Sequence, residues 1–224
     1  MAGEIMKGAI IEFDFAAMNG AELLYGAAEK VLADNEIAFS PRVEAQYLAG
    51  GNYQGALTDY FNIVKTKKTP AKAAKDISEE FVKALTDAVP GTVTKLFVGF
   101  VKALSQKGVK VVISTRADID AVKSAFEDVL DENVSLYQES SQTYGSVKWD
   151  AWRRACASNK LRNFTTVAIA GSGYSVKSAL VAGMGALAVV NDHVAYHDFG
   201  GADDVVKSID SRLADKVLSI LKVS

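Results

Sequence analysis

Residues 8–15 read GAIIEFDF, and this run decides the fold. It is apolar almost throughout and carries an acid, Asp14, at its far edge. A continuous apolar run without polar alternation marks a strand buried on both faces, as in a parallel sheet. Four more segments carry the same signal: GVKVVIST at 108–115, VSLYQ at 134–138, TTVAIA at 165–170 and ALAVV at 186–190. Between them apolar residues recur at helical spacing. Val93, Leu96, Phe97, Phe100, Val101 and Leu104 form one stripe across Thr92–Gln106, and Val122, Phe126 and Val129 form another across Ile119–Leu130. Trp149–Asn159 and Val176–Ala182 follow the later strands, and Val205–Val223 reads as a closing amphipathic helix. The alternation predicts an α/β chain: a doubly wound, mainly parallel, five-stranded Rossmann-like core.

One interval is too long for a simple crossover. Between the first strand and Pro90 no strand signal occurs, and helices are expected over Gly20–Asn35, Pro41–Ala49, Gln54–Lys65 and Pro70–Asp87. Ser40-Pro41 and Thr69-Pro70 each set a hydroxyl at the cap and a proline at the first helical position. The expected division is a core of residues 1–16 and 89–224 with an inserted helical domain of residues 17–88.

Composition excludes several classes of function. With 25 Lys+Arg against 27 Asp+Glu there is no basic field for nucleic acid or an anionic membrane. The lysines at 65, 67, 68, 72 and 75 are followed at once by Asp76, Glu79 and Glu80, and read as a solvated face. One cysteine, Cys156, excludes an internal disulfide and any Cys-cluster zinc site, and reads as a small buried hydrophobe. Apolar runs fall far short of the ~20 residues of a membrane span. The start, MAGEIMKGAIIEF, is broken by Glu4, Lys7 and Glu12 and does not read as a signal peptide. A cytoplasmic protein is expected.

In an open α/β sheet ligands sit at the carboxyl ends of the strands. Asp14 follows the first strand, Ser114, Thr115 and Arg116 the second, and Gly171-Ser172-Gly173 the fourth, while Lys148 precedes the helix leading to it. Each has an ordinary structural reading. Asp14 serves as a strand-end acid with Lys148 as its ion-pair partner, Thr115 as a helix cap, and the glycine turn as a plain strand-to-helix link. The turn can also cradle an anion with backbone N–H groups. His193 and His197 read as surface or partly buried side chains, Trp149 and Trp152 as core, and Asp192 as a loop residue.

Short motifs recur in a definite order. They are 11-IEFDFAAMNG-20; Pro90-Gly91 and Lys107-Gly108; Thr115 seven residues past that glycine, with Ser114 beside it; Lys148 in 147-VKWDAW-152; Ala182-Gly183-Met184; and 201-GADDVVKSI-209. Together they resemble the haloacid-dehalogenase-like hydrolase superfamily, in particular its phosphatase branch with a helical cap. The resemblance runs nearly end to end. Residues 16–88 match the cap, and 50-GGNYQGAL-57, which holds Asn52, resembles its substrate-facing loop. It implies that Asp14 attacks a phosphoryl group to form an aspartyl-phosphate and that an acid two residues on is the general acid/base. It also implies that Thr115 and Lys148 hold the phosphoryl oxygens, and that fourth-motif acids with Asp14 bind Mg²⁺.

The chain departs from that pattern where the chemistry is concentrated. The acid/base position is Ala16, followed by Ala17, and the fourth-motif acid positions are Gly171 and Ser175. No Asp or Glu occurs from Thr165 to Asn191. Losing positioned acid/base catalysis alone costs ~10²–10⁴ in rate. The expectation is a catalytically degenerate member of this class that holds no metal or other cofactor and binds a small phosphorylated or anionic ligand, or a protein partner. Ser114, Arg116, Asn52 and the 171–173 turn would supply the binding groups, and Asp14, Thr115 and Lys148 the remnant of the catalytic set. The alternative is a metal-independent hydrolase, phosphatase- or dehalogenase-like, with Asp14 as nucleophile. That alternative needs an acid from elsewhere, with Asp192 or Glu12 nearest in sequence.

Overall fold

The computed structural model describes residues 6–48, 53–139 and 149–223. Lys148 and the first three residues of the 50–57 loop motif, Asn52 among them, lie outside the described residues, and its remainder opens a helix. Six strands form one sheet: β1 (Gly8–Glu12), β2 (Lys110–Thr115), β3 (Val134–Gln138), β4 (Thr166–Ala170), β5 (Gly185–Val189) and β6 (Asp204–Val206). Their order is β3-β2-β1-β4-β5-β6, and every neighbouring pair is parallel. The sequence reading counted five strands. It missed β6 because Asp204–Val206 is three residues long and only partly covered, an edge strand without a buried apolar run.

Strand residues alternate between two apolar layers. Ala9, Ile11, Val111, Ile113, Val167, Ile169 and Leu187 join the larger one. Ile10, Val112, Ala168, Ala170, Ala186 and Ala188 join the other, with Trp152 and Cys156 from α8 (Trp149–Ser158) and Val176 and Ala179 from α9 (Gly173–Val181). The period of two assigns each side chain its face. Alanines on the second face leave room for helices to approach closely. Glu12 continues the even series begun by Ile10, so its side chain belongs on the α9 side of the sheet.

After β1 the chain makes one helical turn, α1 (Phe13–Ala16), and then forms α2 (Gly20–Ala33), α3 (Pro41–Val43) with a π-helical turn at Glu44–Leu48, α4 (Tyr53–Ile63) and α5 (Pro70–Thr92). Leu24, Ala28 and Leu32 of α2 and Ile77, Phe81 and Leu85 of α5 belong to the same apolar cluster as Ile11 and Phe97. Ser40 caps α3 through Val43 N, as its pairing with Pro41 predicts. Thr69 precedes α5 without making such a bond. The expected break at Pro90-Gly91 does not occur. Pro90 falls in the last turn of α5, where little helix remains to lose, and α6 (Lys95–Ser105) begins only after Thr94, whose hydroxyl accepts from Phe97 N.

α7 (Ile119–Ala125) is capped by Asp118 and stops short of the expected Leu130. The closing helix, α10 (Ser211–Leu221), starts at Asp210, whose carboxylate accepts from Leu213 N. The residues from Val205 that were assigned to it form β6 and a turn instead. Among the described residues no single helix is long and apolar enough to cross a membrane.

Candidate active site

β1 sits between β2 and β4, so the crevice at its carboxyl end is bordered by the turns after all three strands. Two acids two residues apart, Glu12 and Asp14, stand there, and both are buried. The α1 turn directs them to opposite sides. Gly20, which opens α2, packs so tightly on this turn that a Cβ at that position would lie 2.4 Å from the Asp14 carbonyl oxygen.

Asp14 turns towards β2. Its Oδ1 accepts from the Thr115 hydroxyl at 2.6 Å, and its Oδ2 accepts from the Arg116 backbone N–H and from Arg116 Nε, each at 2.9 Å. Asp14 is 2% exposed and Arg116 4%. The guanidinium carbon lies 5.2 Å from the Phe15 ring centre and 5.3 Å from that of Phe81 on α5, within cation–π range of both. Arg116 is an ion-pair partner of Asp14 that the sequence does not announce, while Lys148, the partner expected from sequence, lies outside the described residues. Thr115 does not cap a helix: its Oγ1 accepts from Ala117 N at 3.0 Å and shapes the turn, while Asp118 caps α7.

Glu12 turns towards β4. Its Oε2 accepts from Gly171 N at 2.9 Å and its Oε1 from the Ser175 hydroxyl at 2.7 Å. Ser175 holds a position where the resemblance expects an acid; here it donates to one. The anion cradle expected of the 171–173 turn is therefore already engaged by the chain's own carboxylate. Ser172 Oγ accepts from Ser175 N at 3.1 Å and caps α9, and Gly173 N donates to His197 Nδ1 at 3.3 Å. Burial lowers the His197 pKa, which keeps the imidazole neutral and able to accept. Ser114 is buried beside this cluster, paired in register with Glu12.

The structure thus brings Asp14, Thr115 and Arg116 together, with Gly171 close by against the Phe15–Ala16 backbone. Ser172 and Gly173 are spent on the start of α9. Asp192 is exposed in a short turn, as is His193, whose Nε2 lies 3.8 Å from Glu22. Trp152 is fully buried, whereas Trp149 is exposed under Arg153, contrary to its reading as core. Cys156 is buried, and burial raises its pKa. In the lysine-rich stretch, Lys72 pairs with Asp76 and Lys75 with Glu79 along one exposed face.

Two residues escaped the sequence reading as members of the site. In sequence Glu12 stands, with Asp192, as the nearest substitute acid for the alternative reading, not as a member of the site. Its signal is the Glu-x-Asp spacing of 12-EFD-14, which repeats the acid-x-acid pattern of the family motif two residues early. Glu139 directly follows β3, is buried, donates its backbone N–H to the Thr115 carbonyl and pairs with Arg154 at 3.2 Å.

The Mg²⁺ that the resemblance implies does not fit these residues. Mg²⁺ needs several hard oxygens in near-octahedral array. Both Asp14 oxygens are committed to Thr115 and Arg116. At Gly171 a Cβ would lie 2.2 Å from the Phe15 carbonyl carbon and 2.5 Å from Ala16 N, so the backbone leaves no space for a carboxylate side chain. Among the described residues no group of three or more His, Cys, Asp or Glu side chains converges.

No family model matches the sequence, and no curated protein does. Solved structures do match in fold. β-Phosphoglucomutase from Clostridium difficile aligns over 97% of this chain and 98% of its own, at 12% identity and TM-score 0.71. A hydrolase from Pseudomonas syringae aligns over 94% and 99%, at 15% identity and TM-score 0.69. A mutant of CbbY from Rhodobacter sphaeroides in complex with xylulose-1,5-bisphosphate aligns over 92% and 95%, at 14% identity and TM-score 0.66. The chain has the haloacid-dehalogenase-like fold.

Proposed function

We propose that this protein is a catalytically degenerate relative of the phosphatases whose fold it shares, and that it binds a small phosphorylated or anionic ligand without turning it over. One observation carries the reading: both oxygens of the strand-tip Asp14 are held by Thr115 and Arg116 in a buried network. A nucleophile needs an approachable oxygen, and the arginine holds this carboxylate as an internal ion pair. In the family the Ser/Thr of the second motif holds a phosphoryl oxygen; here Thr115 donates to Asp14. Ala16 supplies no acid/base, and Glu12 spends its oxygens on Gly171 and Ser175. The helices of residues 17–88 act as a cap on a core of residues 1–16 and 89–224, and Phe81 of α5 lies against the Arg116 guanidinium. Support for a phosphorylated ligand comes from the solved neighbours, among them CbbY in complex with phosphate.

The test is hydrolysis of p-nitrophenyl phosphate and of 2-chloropropionate, with and without Mg²⁺, by the wild type and by Asp14→Asn. Rates at the no-enzyme background for both proteins are expected. Turnover that Asp14→Asn abolishes would sink the reading and restore Asp14 as a working nucleophile.

A further inference from the structure

A cavity of about 380 Å³ opens where the turn after β1 meets the α5–α6 junction and the chain leaving β5 and β6. Its wall includes Ala16 and Asn19, Thr92, Asn191, and Lys207 with Ser208. The volume sits at the small end of the range for ligand sites. Ala16 is the position where the resemblance expects the acid/base residue, and its methyl group places no charge at that point of the wall. Among the described residues that line the cavity, Lys207 carries the charge and none is acidic.

Asn19 gives a second, independent indication. It holds a left-handed backbone, φ 55°, at the start of α2. Its amide nitrogen donates to the Glu22 carboxylate, which fixes the orientation of the side-chain amide. The Asn19 side-chain oxygen, Oδ1, is thereby left buried with no donor among the described residues. A buried acceptor of this kind takes a donor from solvent or from a ligand, and a ligand hydroxyl in the cavity would supply one. With no carboxylate in the wall to balance a cation, a neutral hydroxyl fits better than an ammonium group.

We infer that this cavity, and not the Asp14 crevice, is the ligand site, and that it takes a small hydroxylated anion. The anionic group pairs with Lys207 and a free hydroxyl donates to Asn19 Oδ1, with Thr92, Asn191 and Ser208 offering further polar contacts. The inference rests on the reading of the protein as a binder rather than a catalyst. A carboxylate and a phosphate ester share the required chemistry, and the experiment separates them.

The full chain, ¹⁵N-labelled, is titrated with D-glycerate, glycerol 3-phosphate, glycerol and propionate while amide shifts are followed. Saturable shifts at Asn19, Asn191 and Lys207 are expected with one or both hydroxylated anions, and weaker or absent shifts with glycerol and propionate. Lys207→Glu weakens binding by ~10-fold or more, since a charge-assisted contact is lost and a repulsion gained. Asn19→Gly keeps the left-handed backbone and brings glycerate down to the level of propionate. The inference is overturned if neither anion gives saturable shifts, if glycerol or propionate binds as well, or if Lys207→Glu binds unchanged. Inorganic phosphate is assayed in the glycerol 3-phosphate sample. Asp14-dependent release there would sink the non-catalytic reading and, with it, the exclusion of the Asp14 crevice as the ligand site, whereas absent shifts would sink the cavity alone and leave that reading intact.

Discussion

The Asp14 carboxylate and the Arg116 guanidinium form a buried ion pair, Oδ2 to Nε 2.9 Å, at the carboxyl end of the central strand. The pair gives the carboxylate a partner from within the chain. Arg116 presents its own backbone N–H to the same oxygen, and Thr115 holds the other. Taking two charges out of water is costly, and the arrangement holds because each added hydrogen bond offsets part of that cost. The same interactions that stabilise the carboxylate occupy both of its oxygens.

Removing one partner exposes that balance. Arg116→Met leaves a buried carboxylate without its cation and lowers the unfolding free energy by about 3–5 kcal/mol. Adding Asp14→Ala to that variant recovers part of the loss, because no unpaired charge remains. Urea unfolding of the two single variants and the double variant measures the coupling. Equal stability of wild type and Arg116→Met would show the pair to be incidental.

Restoring the missing family acid does not restore a metal site. Gly171→Asp drives a Cβ into the Phe15 carbonyl and destabilises the fold by at least the ~1–3 kcal/mol typical of overpacking. Its melting temperature is the same with and without MgCl₂. A Mg²⁺-dependent rise in the melting temperature would mean that the α1 turn moves aside to admit the ion.

Acid loosens the start of α9. Burial holds the His197 pKa below 6.5, and the neutral ring accepts from Gly173 N. A base with a depressed folded-state pKa stabilises the fold above its unfolded value and loses that contribution as pH falls through the folded value. Thermal unfolding across pH therefore shows a drop below 6.5 that His197→Asn reduces. An unchanged profile in that variant would assign the drop to other groups.

Glu44, in the π-helical turn, has the opposite sign. Burial raises its pKa from 4.5 to about 7. Its contribution is fully present below 4.5 and is lost as pH rises through about 7, since ionisation then opposes folding. Glu44→Gln keeps the neutral shape and removes this slope, so the variant gains on the wild type as pH rises. The difference between their melting temperatures, followed from acid to neutral pH, checks this directly.

The core was legible because its strands are continuous apolar runs and the helices between them keep a clear period. Gly8–Glu12, Lys110–Thr115 and Thr166–Ala170 lie within the segments the sequence marks. What composition and period cannot encode is partnership. Arg116 reads in sequence as a binding group at the end of the second strand; only the turn after β2 folds it back on Asp14. Glu12 reads in sequence as a charge that interrupts an apolar run and as a nearby substitute acid, yet the even register of β1 delivers it to α9. Pro90-Gly91 carries a strong breaker signal, but its place in a last turn makes it harmless. β6 is too short to signal by pattern and exists because β5 offers it an edge.

Calorimetric titration of MgCl₂ into wild type and Asp14→Asn tests the central claim most directly, since the account holds that the strand-tip carboxylate is already fully engaged. It predicts no saturable heat from either protein through the millimolar range. Saturable binding by the wild type that disappears in Asp14→Asn would contradict it.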